Sequence, residues 1–291
     1  LTGSAGTGKT MIARRIPTIL PALTREEDIE ISRIYSICGL LPAGRPLLSE
    51  RPFRSPHHTI TARALAGGGV PPRPGELSLA SGGVLFLDEL PHFGRSAVEI
   101  LRQPLEERKI TVTRVSGNYE FPADFMMVAM NLCPCGFYPD RNRCNCSENQ
   151  IKRYLGHISR PILKRFDICA QASPVTFGEL NPAQGENEDS ASIRQRVEYA
   201  RKRQERRFSG TKIRFNSRMG MKEVERHCGL GPEEKAFAQR IYESGGFSAR
   251  RYHKALKVAR TIADLEDSRD IKKEHLAEAL GYGGLEEKIW G

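Results

Sequence analysis

Hydrophobic positions along the chain fall into two regimes. From the start to about Ala172, short continuous apolar runs alternate with Gly-rich turns and helix-length segments. Val84-Leu85-Phe86-Leu87 and residues 125–130 are unbroken apolar runs with polar borders, as doubly covered parallel strands require. Residues 11–20 and 96–107 are predicted as helices between them. Residues 67–75 (GGGVPPRPG) are too rich in Gly and Pro for either element and are expected as an exposed loop. Residues 110–125 hold two alternating runs around Ser116-Gly117-Asn118, a hairpin signal.

The polar, acidic stretch 181–190 (NPAQGENEDS) is expected as a linker. Beyond it the pattern predicts helices at about 191–208, 217–228, 232–245, 249–266 and 272–281, with Ser248 as an N-cap and glycines as punctuation. The expected architecture is an α/β domain over 1–180 followed by an all-α domain over 191–291.

With 291 residues, 39% hydrophobic and 27% charged, the chain has material for two cores and is not compositionally disordered. The longest apolar run has six residues, far below a membrane span, so no membrane partner is expected. A net charge of +10 permits a polyanionic partner. Nine basic residues (Arg194, Arg196, Arg201, Lys202, Arg203, Arg206, Arg207, Lys212, Arg214) crowd against only Glu198 and Glu205, as a nucleic-acid contact or a solvated helix face. Seven cysteines, an odd number with no export signal in view, argue for the reducing cytoplasm.

The segment Gly3-Ser4-Ala5-Gly6-Thr7-Gly8-Lys9-Thr10 matches the phosphate-binding P-loop pattern. Its glycines let N–H groups curl around a phosphate of ATP, Lys9 reaches the β/γ-phosphates, and the Thr10 hydroxyl ligates Mg2+. The strand 84–87 delivers Asp88 and Glu89 to the carboxyl edge of a sheet, Asp88 to hold Mg2+ and Glu89 to polarise the attacking water. Asn131, ending the next apolar run, is placed to orient that water or touch the γ-phosphate. Cys133, Cys135, Cys144 and Cys146 form two close pairs that can converge on a tetrahedral S4 zinc site without an open position for chemistry. His57 and His58 are expected as structural or anion contacts rather than as metal ligands with Asp88.

Asp88-Glu89, Asn131, Arg165-Phe166-Asp167 and Ser248-Ala249-Arg250 follow the order of Walker B, sensor 1, arginine finger and sensor 2 in AAA+ ATPases. More narrowly, the chain resembles the ComM/YifB group of magnesium-chelatase-like AAA+ proteins. The matching segments are Pro52-Phe-Arg-Ser-Pro-His-His58, Pro74-Gly-Glu-Leu-Ser-Leu-Ala80, Leu101-Arg-Gln-Pro-Leu-Glu106, Asn131-Leu-Cys-Pro-Cys-Gly136 and Val258-Ala-Arg-Thr-Ile-Ala-Asp264.

That resemblance implies a P-loop AAA+ parallel-sheet domain with a helical lid, assembled as a homo-oligomeric ring, a hexamer, that spends ATP on DNA as a helicase or branch-migration motor. It implies that Arg165 reaches a neighbouring subunit's γ-phosphate and that Arg250 senses the phosphate in its own subunit. It also implies DNA contacts from two insertions, the loop at about 51–80 (Arg54, Arg63, Arg73) and the hairpin at 110–125 (Lys109, Arg114). Ser159-Arg160-Pro161 and Lys164 depart from the family pattern by adding charge near the finger, which leaves Arg160 as a rival to Arg165. The alternatives are a magnesium-chelatase motor subunit and a nucleotide-gated scaffold. Only Leu1 and Thr2 precede Gly3, so the strand that leads into a P-loop is expected to be cut away, with a Lon-type N-terminal domain upstream by resemblance.

Overall fold

The structure, a computed structural model, describes residues 1–115, 117–130, 133–138, 140, 142–173, 188–243 and 248–290. It divides into two units, Leu1–Arg165 with Gln171–Asn187, and Phe166–Ala170 with Glu188–Gly291. The first runs α1 (Lys9–Ile19), α2 (Arg25–Ile37), β1 (Phe53–Arg54), α3 (Ala62–Ala66), β2 (Gly67–Gly68), β3 (Arg73–Pro74), α4 (Glu76–Leu79) and β4 (Val84–Leu87). A 3-10 turn at Leu90–His92 leads to α5 (Arg95–Glu99), α6 (Arg102–Glu107), β5 (Lys109–Arg114), β6 (Gly117–Pro122), β7 (Met126–Ala129), α7 (Glu148–Leu155) and α8 (Arg160–Leu163).

The expected α/β class holds. Strands β1, β4 and β7 make a parallel sheet in that order, with Phe53 opposite Val84 and Val84 opposite Met126. All four residues of β4 are buried, as an unbroken apolar run in a central parallel strand should be. Ala13 of α1 packs on Phe86, with Met130 beside them and Leu1, Phe53 and Val128 around the edge. Leu1 and Thr2 stand between β7 and residues 171–172. The Leu1 ammonium donates to the Ala129 carbonyl at 2.6 Å, and the Ala172 amide donates to Thr2 O at 2.8 Å.

Several local expectations are corrected. Residues 67–75 are not a plain loop, because β2 and β3 pair as a small antiparallel ribbon with Gly67 opposite Pro74. The glycines make that ribbon possible: a Cβ on Gly75 would sit 2.3 Å from Gly67 N and 2.4 Å from Leu65 O. The helix expected at 96–107 is split into α5 and α6. Pro104 has no N–H for the Ile100 carbonyl, and its ring crowds that turn. The hairpin turns one residue earlier than expected, since Arg114 pairs with Gly117. Helices α2 and α7 were not anticipated, although Thr24 with Glu27 and Ser147 with Gln150 form capping boxes at their starts.

The second unit holds α9 (Ser190–Arg207), a 3-10 turn at Asn216–Arg218, α10 (Met221–His227), α11 (Pro232–Glu243), α12 (Ala249–Leu265) and α13 (Lys273–Trp290). Its last helix continues past the expected end at 281, through Gly281 and Gly283. Phe208, Met219, Val224, Leu256, Ile262 and Leu276 fill the core. Asp264, fully buried, takes Arg207 at 2.6 and 2.5 Å, Asn216 Nδ2 at 2.8 Å and Arg260 at 3.2 Å, joining α9, the 3-10 turn and α12. Two cations of the basic run, Arg203 and Arg207, are thus turned inward on Asp264 and Asp267. Among the described residues, no helix is long and apolar enough to cross a membrane.

Candidate nucleotide-binding site

The P-loop is shaped by positive φ at Gly3, Gly6 and Gly8, +141°, +81° and +75°, a set of angles that turns successive N–H groups to one side. Gly8 caps α1 in the left-handed region, so the helix N-terminus opens onto the loop. Lys9 lies folded over it, 5% exposed, donating to Gly3 O at 2.9 Å, Ser4 O at 2.5 Å and Thr7 Oγ1 at 3.1 Å. Burial holds its ammonium below the usual lysine range, and Asp88 opposes that shift. Thr10 is half-buried in the first turn of α1.

Strand β4 ends at Leu87 and hands on Asp88 and Glu89. Burial first, then the neighbouring Glu89 carboxylate, pushes Asp88 above the usual carboxylate range, with Lys9 pulling the other way. A desolvated carboxylate crowded by a second one is a site that a cation relieves. Glycines curled at positive φ, a lysine at hand and such a carboxylate fit a nucleotide phosphate and its Mg2+. Glu89 itself sits in the left-handed region at φ 52°, capping the 3-10 turn, with its Oε2 3.5 Å from His92 Nδ1. Asn131 lies outside the described residues. The adjacent Met130 carbonyl accepts from Leu90 N at 3.1 Å.

The four cysteines meet. Cys133 Sγ is 3.2 Å from Cys135 Sγ and 3.7 Å from Cys144 Sγ, and Cys135 to Cys144 is 3.6 Å; Cys146 completes the group. Zinc–sulfur bonds of about 2.3 Å in a tetrahedron put sulfurs about 3.8 Å apart, so the donor set fits Zn2+. Burial pushes the Cys135 thiol up. The Phe137 amide and the Cys133, Cys146 and Cys144 thiols more than offset this and bring it down to about 6. Cys144 is pushed up to about 12 by burial and by the thiols around it. This loop also grips the P-loop: Ala5 N donates to Gly136 O at 2.8 Å and Ser4 Oγ to Phe137 O at 3.0 Å.

The remaining residues singled out in the sequence scatter. Arg165 is paired with Glu106 of its own chain and only 16% exposed, whereas Arg160, at the start of α8, is exposed. Arg250 is exposed in the first turn of α12, while the guanidinium of Arg251 lies over Gly283. Arg54 makes a two-pronged pair with Glu76 at 2.7 and 2.6 Å, and Lys109 pairs with Glu120 at 2.6 Å. Arg63 and Arg114 converge on Gly68, whose strand partner is Arg73, so the insertion ribbon and the hairpin tip share one basic cluster.

The model of magnesium chelatase subunit ChlI matches residues 1–180, and that of its C-terminal region matches 187–283. The chain belongs to the magnesium-chelatase-like AAA+ family. Within that family it is 42% identical over 284 residues to Competence protein ComM of Haemophilus influenzae, covering 97% of this chain and 55% of that protein. It is 40% identical to the uncharacterized protein YifB of Escherichia coli, covering 98% and 56%. The Salmonella typhimurium YifB is 39% identical over the same shares. The chain spans about half the length of the curated relatives it matches.

Within this AAA+ frame, sequence reasoning missed two groups. Tyr154 on α7 stands between the carboxylates and the cysteine loop; burial first, then Glu89, Cys133 and Asp88, pushes its hydroxyl up to about 12. His92 was not singled out at all, yet it lies edge-on to Tyr154 at 5.3 Å and to His58 at 5.7 Å. The hydrophobic face of α7 and the proximity of His92 to Asp88-Glu89 in the chain were the available signals.

Proposed function

We propose that this chain hydrolyses ATP and spends it on DNA, as one subunit of a homo-oligomeric ring in the cytoplasm. The observation that carries the reading is the glycine loop at positive φ with Lys9 buried across it, and half-buried Asp88 and Glu89 following β4. Lys9 leaves the carbonyls of Gly3 and Ser4 to take the β/γ-phosphates, and Thr10 and Asp88 hold the Mg2+. Bound there, Mg2+ neutralises charge on the phosphate oxygens. Glu89 orients the attacking water and accepts its proton, with Asn131 as the second positioning group. Arg165, or its rival Arg160, serves a neighbouring subunit's phosphate; for Arg165 this means leaving Glu106. Arg250 reports on the nucleotide from the lid. The four cysteines hold a structural Zn2+ that keeps the loop rigid.

The DNA reading, helicase or branch migration, draws support from the basic cluster of Arg63, Arg73 and Arg114. Among the described residues, none of the three is in an ion pair, while Arg54 and Lys109 are neutralised. It also fits the name of the ComM relative, a competence protein. A magnesium-chelatase role rests on the family models. The discriminating measurement is ATPase rate without DNA and with single-stranded, duplex and branched DNA, beside a porphyrin control. DNA stimulation, lost with salt and weakened in Arg63→Ala and Arg114→Ala, is expected. No response to any DNA, with a response to porphyrin, would refute it.

A further inference from the structure

Three side chains beside the nucleotide site form a group of their own. His58 comes from the loop after β1, Glu89 caps the start of the 3-10 turn after β4, and His92 is the last residue of that turn. Parallel pairing of β1 with β4 brings these two turns to the same edge of the sheet. One imidazole nitrogen from each histidine and a carboxylate oxygen of Glu89 all lie within 4.8 Å of one another. His92 Nδ1 is already 3.5 Å from Glu89 Oε2. Ring contacts set the orientation of both imidazoles: His58 lies tilted against His57 at 4.1 Å and edge-on to Phe93, and His92, exposed on its other side, lies edge-on to Tyr154.

From this geometry we infer that His58, Glu89 and His92 make a transition-metal site, filled by Zn2+, that shuts off hydrolysis. Two imidazoles and one carboxylate are a donor set that Zn2+ accepts with a fourth position left to water. Bonds of about 2.0–2.2 Å in a tetrahedron require donors about 3.4 Å apart, a closure reached by small side-chain rotations. Mg2+ does not compete for it, because a hard cation prefers oxygen and keeps its water. The site is separate from the Mg2+ ligands Thr10 and Asp88 but uses Glu89. Zinc on a Glu89 oxygen draws charge out of the carboxylate and fixes its direction, so the group is a poorer base toward the attacking water and turnover falls while the nucleotide remains bound. The inhibitory half of this inference rests on Glu89 being the water-activating group.

The test uses the whole chain with free Zn2+ set by a metal buffer, and counts bound zinc in wild type, His58→Ala and His92→Ala. The cysteine site contributes equally to all three, so the difference isolates this one. Wild type is expected to hold one more zinc per chain than either variant at the same free Zn2+. Losing even an outer-sphere partner costs a metal site about 10–100-fold, so losing a ligand should cost at least that. At saturating Mg-ATP, Zn2+ should lower kcat without raising KM, and each variant should need about tenfold more Zn2+ for half-inhibition while retaining basal turnover. Equal zinc counts in all three proteins overturn the site, as does inhibition at the same Zn2+ concentration in wild type and variants. A histidine-dependent zinc in a protein that never hydrolyses ATP would uphold the site and refute the ATPase reading instead.

Discussion

Asp264 is the most heavily engaged carboxylate of the helical unit, and Asp264→Ala should unfasten that unit alone. The carboxylate is fully buried, and three guanidiniums look at it: Arg207 from both nitrogens, Arg260 at 3.2 Å and Arg203 at 3.8 Å. Removing it strands like charges around an apolar methyl, and Arg260 is itself 3% exposed. Arg207 keeps Asn216 Oδ1, and Arg260 keeps the Arg269 and Ser268 carbonyls, so the cationic groups stay hydrogen-bonded but lose their counter-charge. Breaking a buried pair from one side costs about 3–5 kcal/mol. At about 1.4 kcal/mol per tenfold, amides of α12 should exchange with solvent roughly 100- to 4,000-fold faster. Hydrogen exchange read by peptide mass measures this directly, with peptides of β4 and β7 as internal controls. Asp264→Asn, which keeps shape and one acceptor oxygen, should recover part of the protection. A change below about tenfold in α12, or an equal loss across β4 and β7, would show that the network does not organise the unit as argued.

Other predictions concern the nucleotide site. Lys9→Ala should weaken nucleotide binding, whereas Glu89→Gln should keep binding and lose about 10²–10⁴ in turnover; normal hydrolysis by Glu89→Gln would remove that residue from the mechanism. Arg165→Ala should bind ATP and lose about 10³-fold or more in rate, with partial recovery when mixed with Glu89→Gln subunits; no recovery at any ratio, or full activity alone, speaks against an intersubunit role and turns attention to Arg160. Cys144→Ser should lose one zinc per chain on metal analysis. It should also weaken ADP binding by about tenfold, because two hydrogen bonds from the cysteine loop to Ser4 and Ala5, each contributing about 0.5–1.5 kcal/mol, then have no fixed acceptors. Unchanged ADP affinity in zinc-free Cys144→Ser would refute the coupling.

What the sequence made legible was whatever depends on composition within a few residues. The P-loop glycines, the buried run of β4 and the N-cap at Ser248 carry their own physical reasons, and the structure has those local features. The fold class followed from the change in period near the linker. What stayed hidden depended on pairing between distant segments. His58 meets His92 only because β1 pairs with β4 in one register, and Arg63 meets Arg114 only because the ribbon and the hairpin converge. Arg54 looked as available as Arg63 until Glu76 was placed beside it. The split at 100–101 is a different case: Pro104 was in plain view, and helical periodicity outweighed it in the reading.

The cysteine loop has a structural reason to be where it is. It begins four residues after β7 ends, and β7 is hydrogen-bonded along its length to β4, which ends at Leu87 just before Asp88. That pairing sets the end of β7 beside the end of β4, next to Asp88 and Glu89. From that position Gly136 and Phe137 offer their carbonyls to Ala5 and Ser4, on the outer side of the P-loop, while Lys9 holds the same loop from within through Gly3 and Ser4. Helix α7, capped just after Cys146, returns Tyr154 to rest against His92. A P-loop gains its selectivity for phosphate from N–H groups held in position before the anion arrives, and a glycine-rich segment has the most conformational freedom to lose in holding them. Fastening it on both sides reduces that cost at binding. On the proposed reading, this accounts for four thiols being gathered beside the P-loop.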